Sequence, residues 1–498
     1  MVEAGQALEP GDDGTRRDDV QVRVASLAEL LEGADLPLAI DTYQRGFVWD
    51  EDKIAQLADD LRDYERLPDP KPPYYMGSVL LHRDIRNERR FVIDGQQRLT
   101  ALCVLYHCLT GKLPANCALT YSPQSARRIQ QAAAYLRANA QGITADVLRR
   151  IEFTLVCVPN IDLAFTFFDT QNNRGVTLHA TDLLKAYHLR AVDGAGGSRK
   201  DELQALCARR WEGVQRGDKV LSHEKEFTAA LFTKFLWRAR CWTGNQASHG
   251  GHDALLHEFE KQSWAPEGDG STVPLYRSRH NRLGTALVVK DEGASEIQAA
   301  SIPLSPHACD LPFAIRQPVH SGLGFFLYTD KYAALLRRLM TEEVVSTEVH
   351  RARDVYHGMV EKNSLYLREI FLLALLMYSD QFGDERLWEF SLWLEHALGA
   401  VRLDKQQVRQ EAAQNFFRSG GMNLLDMIAS AYRPEQVTSE LASPRYAKPA
   451  VYARESIDAD GGGVQSVYKR AVLRYYGREG SLSEKVQWLK NKTAQAAR

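Results

Sequence analysis

The run Phe91-Val92-Ile93-Asp94-Gly95-Gln96-Gln97-Arg98-Leu99-Thr100-Ala101-Leu102 sets a carboxylate, two amides and a guanidinium around one glycine. Three apolar residues precede it as a buried strand, and Leu99, Leu102, Leu105 and Leu109 follow at helical spacing. Strand, tight turn and helix start form a geometry in which backbone N–H groups and the helix dipole converge on an anion. In that setting Asp94 is the candidate metal ligand or general base, and Arg98 the candidate phosphate clamp. Gln96 and Gln97 would position phosphate or water. The plainer alternative is a capped helix start, in which Asp94 takes backbone N–H groups and Arg98 pairs with a surface acid.

Three further segments carry chemistry-capable side chains. Tyr43-Gln44-Arg45, followed by Phe47 and Trp49, interleaves aromatics with an amide and a guanidinium just before a helix expected from Asp52. Aromatic faces stack on bases, and Gln and Arg hydrogen-bond base edges or phosphates. The competing role for these aromatics is to pack the helix on a sheet. Asn172-Asn173-Arg174-Gly175 reads as a polar turn ahead of a helix capped by Thr181. Ile315-Arg316-Gln317-Pro318-Val319-His320-Ser321-Gly322 reads as a structural loop leading into Phe325 and Phe326.

These segments need a scaffold, and the pattern supplies one. Gly77–Leu81, Arg90–Ile93 and Ile151–Val158 read as strands, with helices at Asp52–Tyr64 and Gln97–Thr110. Residues 1–20 are expected to be disordered, and 21–192 to form an α/β domain. The Gly-Ala-Gly-Gly-Ser stretch at 194–198 marks a linker. Downstream the spacing turns helical, at Phe227–Trp242, Tyr332–Met340, Glu361–Tyr378 and Leu387–Leu398. A mainly helical domain is expected over 200–410, then a basic helical region over 411–498 that carries Lys469, Arg470, Arg474, Lys490 and Lys492.

A net charge of −2 means that any nucleic-acid contact must come from a local basic groove, not from bulk attraction. The seven cysteines are scattered and odd in number, which points to buried thiols and away from a disulfide framework or a zinc site. His249 and His252 sit in a Gly-rich loop better read as mobile than as metal-binding. No membrane partner is expected, and the polar N-terminus gives a cytoplasmic expectation. Walker, nucleophile-elbow and His-Glu-x-x-His motifs are absent from the sequence.

Taken in order, Tyr43-Gln44-Arg45 with Trp49, Gly77-Ser78, Asp94-Gly95-Gln96-Gln97-Arg98 and Asn172–Leu178 with Asp182-Leu183-Leu184-Lys185 resemble a known family. It is the N-terminal domain of the GmrSD-type, modification-dependent (type IV) restriction enzymes, related to the ParB/sulfiredoxin superfamily. The resemblance implies a ParB/sulfiredoxin-like α/β domain followed by a mainly α-helical region. It implies that the Asp94–Arg98 turn binds or hydrolyses a nucleoside triphosphate with Mg²⁺, and that Tyr43-Gln44-Arg45 helps sense modified phage double-stranded DNA. The family's companion HNH nuclease motif is not found in 400–498, so strand cleavage would fall to a partner nuclease.

Three functions stay open at this stage. The first is an anti-phage defence protein that recognises DNA with hydroxymethylated or glucosylated cytosine, its Asp94–Arg98 site driving or gating attack. The second is a DNA glycosylase that excises the glucosylated base without a cofactor, drawing on Asp94, Asp50 or Glu51. The third is a non-catalytic nucleotide- or DNA-binding regulator. In the first two, Asp94, Gln97 and Arg98 are the catalytic candidates. Tyr43, Gln44, Arg45, Trp49, Gln96, Asn172, Asn173 and Arg174 are the substrate or DNA contacts.

Overall fold

The computed structural model describes residues 20–40, 46–85, 88–117, 119, 121, 123–159, 164, 179–192, 197–215, 226–248, 250–265, 271–276, 285–289, 295–299, 304, 307–418, 422–454 and 457–496. The chain divides into two compact units, 1–178 and 179–498. The expected disordered segment lies almost wholly outside the described residues, as do Tyr43, Gln44, Arg45, Asn172, Asn173 and Arg174.

In the first unit, five strands form one mixed sheet: β1 (Gln21–Ser26), β2 (Leu38–Ala39), β3 (Tyr74–Asp84), β4 (Arg89–Asp94) and β5 (Ile151–Val158). Their spatial order is β1-β5-β3-β4-β2. β5 runs antiparallel to β1 and parallel to β3; β4 runs antiparallel to β3 and parallel to β2. Helices α1 (Leu27–Glu32), α2 (Glu51–Glu65), α3 (Gln96–Thr110), α4 (Pro123–Asn139) and α5 (Val147–Arg150) complete the unit.

The period-2 alternation of the strands puts Val79, Leu81, Val92, Phe153 and Leu155 on one sheet face. That face shares a single apolar cluster with Ile54, Leu57 and Leu61 of α2 and with Leu99, Leu102 and Leu105 of α3. The helical stripes read from sequence are therefore the buried ones. The structure adds β1 and β2, which the sequence pattern does not announce. Val22 and Val24 stay 63% and 60% exposed, so β1 exists through its register with β5 and not through burial of its valines. A reciprocal capping box then ends β1 and starts α1: Ser26 Oγ accepts from the Glu29 amide, and Glu29 accepts from the Ser26 amide.

The second unit is mainly helical. It holds α6 (Ala180–Arg190), α7 (Gly197–Gln215), a helix at 227–241 with a π-helical middle, α8 (Leu323–Met340), α9 (Thr347–Gly358), α10 (Leu365–Phe382) and α11 (Leu387–Asp404). It continues through α12 (Gln410–Arg418), α13 (Leu424–Ser430), α14 (Pro434–Leu441), α15 (Val464–Tyr476) and α16 (Lys485–Ala496), with a small hairpin of β6 (Thr285–Val289) and β7 (Ser295–Ala299).

Two details differ from the sequence reading. Helix α6, expected with the first domain, packs within the second unit, where its His188 ring stacks on Phe325 at 3.7 Å. Helix α8 begins at Leu323, not near Tyr332, because Phe325 and Phe326 are core residues of the helix.

Buried ion networks join the helices of this unit. Lys485 of α16 and Glu395 of α11 are both fully buried, with Lys485 Nζ 2.7 Å from Glu395 Oε2 and 2.8 Å from the Tyr468 hydroxyl of α15. Asp380 of α10 accepts from Lys331, Tyr332 and the Ile315 amide. The seven thiols are free; Cys207 is buried and the others are half-buried.

Candidate functional site

The turn from β4 into α3 is shaped by Gly95. It adopts φ 90° at the helix N-cap, and a Cβ there would meet Val79 Cγ2 at 3.0 Å. Only glycine takes this conformation without strain. No side chain caps α3. Asp94 therefore does not serve the capping role that the plainer sequence alternative gave it. Its carboxylate is 35% exposed, and Arg98 Nη2 lies 3.6 Å away. The amides of the first turn of α3 have no intrahelical acceptor, as at any helix start. The turn thus presents N–H groups, the positive end of a helix dipole and a carboxylate together.

Arg98 is tied into the sheet. Its Nη1 donates to the Met76 carbonyl at 2.7 Å and its Nη2 to the Ser78 carbonyl at 2.8 Å. These carbonyls flank Gly77, at φ 97°, where the pairing of β3 with β5 shifts register. A Cβ at Gly77 would fall 2.4 Å from Arg98 Nη1. Gly77-Ser78 and Arg98 are one interlocked element. The guanidinium has further N–H groups, but both fork nitrogens already hold strand carbonyls.

Gln97 joins the turn to the segment that follows Arg45. Its Oε1 accepts from the Val48 amide at 2.8 Å, and its Nε2 donates to the Gly46 carbonyl at 3.0 Å. The Phe47 amide donates to Ser125 Oγ at 2.9 Å, and Arg128 donates to the Val48 carbonyl at 3.0 Å. Phe47 is buried and Trp49 packs partly into the core cluster. The stretch 46–49 is held from both sides.

Gln96 is buried, whereas Asp50 caps α2 by accepting from the Lys53 amide at 3.1 Å. Asp50 is thus committed locally, which leaves Asp94 as the carboxylate of the turn itself. Sequence reasoning missed Ser125 and Arg128. Both lie early in α4, with no spacing signal that links them to residues about 80 positions earlier. Thr100, one turn into α3, exchanges a hydrogen bond with the Tyr121 hydroxyl, whose pKa burial pushes far up.

Among the described residues no group of three His, Cys, Asp or Glu side chains is placed to hold a metal. Mg²⁺ takes one or two carboxylates and completes its shell with phosphate oxygens and water, and the one carboxylate at the turn has Arg98 Nη2 3.6 Å away. Asp94 would be the carboxylate ligand.

The Ile315–Gly322 segment, in the second unit, is structural. Arg316 reaches Asp426 at 2.6 Å and the Ala239 carbonyl at 2.7 Å, while Arg240 holds the Ile315 and Gln317 carbonyls. His320 is buried, 2.8 Å from the Tyr276 hydroxyl. Every polar side chain in it that the sequence singled out serves the loop's own anchorage.

Residues 27–189 match the GmrSD restriction endonuclease N-terminal domain. Residues 203–457, just over half the chain, match a family of unknown function, DUF7834. The chain belongs to that family and carries a GmrSD-type N-terminal domain. No curated protein matches it. The GmrSD-type domain spans the Asp94–Arg98 turn and the Gly46–Trp49 stretch, and it runs on through α6. No helix among the described residues is long and apolar enough to cross a membrane.

Proposed function

We propose that this chain is an anti-phage defence protein of the type IV restriction class that recognises modified DNA through its GmrSD-type domain. The observation that carries the reading is the Gln97 amide, bonded at once to the Gly46 carbonyl and the Val48 amide. It ties Gly46 and Val48, which follow Tyr43-Gln44-Arg45 in the sequence, to the very turn that presents Asp94.

In this reading Tyr43, Gln44, Arg45 and Trp49 contact the DNA, with Asn172, Asn173 and Arg174 as further contacts. The α3 N-terminus receives a phosphate, either of the DNA backbone or of a nucleotide. Asp94 orients water or holds Mg²⁺, and Gln96 supports the turn from its buried position. Arg98 fixes β3 and lends its charge to the anion. Magnesium, when bound, would neutralise phosphate charge. A partner nuclease cuts the strand.

The test is direct. Purified protein is incubated with plain and with glucosyl-hydroxymethylcytosine DNA, with and without GTP and magnesium. Phosphate release stimulated by modified DNA supports the reading. Alkali-labile sites formed without nucleotide would instead establish the glycosylase alternative, with Asp94 as its carboxylate. In cells, a soluble Asp94→Ala variant should lose phage protection; full protection by it would remove Asp94 from the site.

A further inference from the structure

A surface cavity lies within the second unit, far along the chain from the Asp94 turn. It has a volume of about 400 Å³ and is lined by Arg351, Asp354, Trp388, Tyr475, Lys492 and Gln495. It is a shallow depression that stands widely open to solvent. Its walls come from α9, α11, α15 and α16.

The lining is a continuous run of cations and rings. The Arg351 guanidinium carbon sits 4.9 Å from the Trp388 ring centroid, and Lys492 Nζ sits 4.7 Å from that of Tyr475. Trp388 Nε1 donates to the Tyr475 hydroxyl at 3.3 Å, so the two rings are linked edge to edge. Burial pushes the Tyr475 phenol up to about 12, so it keeps its proton. That O–H already accepts from Trp388 and has its hydrogen left to give. No carboxylate among the described residues forms an ion pair with Arg351 or Lys492. The cavity therefore holds two cations and a hydroxyl donor against the single carboxylate of Asp354.

We infer that this cavity binds a nucleoside phosphate, free or as one unit of a single strand. The phosphate lies between Arg351 and Lys492, neither of which is held in an ion pair among the described residues. A base stacks on the Arg351 guanidinium, which is backed by Trp388 on its other side; guanidinium planes and aromatic rings are the usual platforms for unpaired bases. Asp354 is exposed at the rim and accepts from a base amino group. A bare phosphate would leave most of the volume empty. The basic C-terminal stretch thus acts at one point, through Lys492, and the inference does not rest on the reading of the GmrSD-type domain.

The experiment uses the full chain with three probes: AMP, a fluorescein-labelled single-stranded DNA dodecamer, and inorganic phosphate. Binding is read by anisotropy for the dodecamer and by quenching of Trp388 emission for the other two, with Trp388→Phe defining the local signal. The Arg351→Gln/Lys492→Gln double variant should weaken AMP or dodecamer binding by about tenfold or more. Should that variant unfold, Tyr475→Phe replaces it and should weaken binding about threefold. Binding of AMP without the dodecamer identifies a free nucleotide, and binding of both identifies a strand. The inference fails if neither binds, if the variants bind as well as wild type, or if phosphate alone binds as tightly as AMP.

Discussion

Gln97 and Val48 are paired as two residues of adjacent strands would be, although one partner is a side chain. The Gln97 amide takes the Val48 N–H at 2.8 Å and gives a hydrogen to the Gly46 carbonyl at 3.0 Å. A residue read from sequence as a phosphate or water ligand is thus spent on the main chain of the neighbouring motif. That changes what its substitution should do. Gln97→Glu keeps the acceptor for Val48 but has no donor for Gly46 and sets oxygen against oxygen. It should cost about 1–3 kcal/mol of stability in the first unit, read by urea denaturation. Amide exchange at Phe47 and Val48 should quicken, and phage protection should fall further than the stability loss explains. Unchanged exchange at those two amides would show that the contact does not hold the segment.

Gly77 and Arg98 make a sharper test of the turn's scaffold. Gly77→Ala places a methyl group 2.4 Å from Arg98 Nη1 at a φ of +97°. The expected loss is about 1–3 kcal/mol from backbone strain alone, with more from the displaced guanidinium. Arg98→Ala removes the obstruction as well as the hydrogen bonds to Met76 and Ser78. In the double variant the two losses should therefore add up to less than their sum, by about 1 kcal/mol or more. Simple additivity in a denaturation cycle would deny the interlock.

The second unit should lose stability in acid, and His188 sets part of the slope. The ring is fully buried, and burial pushes its pKa down to about 3 from 6.5. Its Nε2–H donates to the Phe259 carbonyl at 2.8 Å, a bond that works against the burial effect without cancelling it. Between those two pH values the unfolded chain binds a proton that the folded chain refuses. Stability is therefore complete above 6.5 and falls as the pH drops toward 3, by a ceiling of about 4–5 kcal/mol. His188→Phe should flatten that slope in thermal melts taken from pH 7 to pH 4. A slope identical to wild type would assign the acid sensitivity elsewhere.

Helix α16 is tied down by the buried Lys485–Glu395 pair. Lys485→Met strands a carboxylate at zero exposure and should cost about 3–5 kcal/mol. The double variant Lys485→Met/Glu395→Leu should regain most of it, since no charge is then left unpaired. Gly399→Ala should disturb the same knot, because its Cβ would overlap the Tyr468 hydroxyl at 1.7 Å. Guanidinium unfolding, monitored with proteolysis at the 477–484 connection, measures all three. A Lys485→Met protein as stable as wild type would contradict the role given to the pair.

Much of this protein was legible as sequence. Strand alternation and helical spacing located the apolar stripes of β4, α2 and α3, because burial on one face leaves a periodic trace in the chain. Asp94-Gly95 announced a turn, since a strand must end and only glycine takes the left-handed N-cap without strain. The family likeness, carried by separate short motifs, also needed no coordinates. Contacts between distant segments left no such trace. Val22 and Val24 of β1 are exposed, so its strand depends on a partner 130 positions later and not on any burial pattern. Ser125 and Arg128 reach residues 47 and 48 only because α4 is laid beside them. Whether Gln97 and Arg98 face a ligand or the protein's own backbone was a question of partners. Side-chain type sets what a group can bond, and the fold alone decides which carbonyl or amide stands within 3 Å of it.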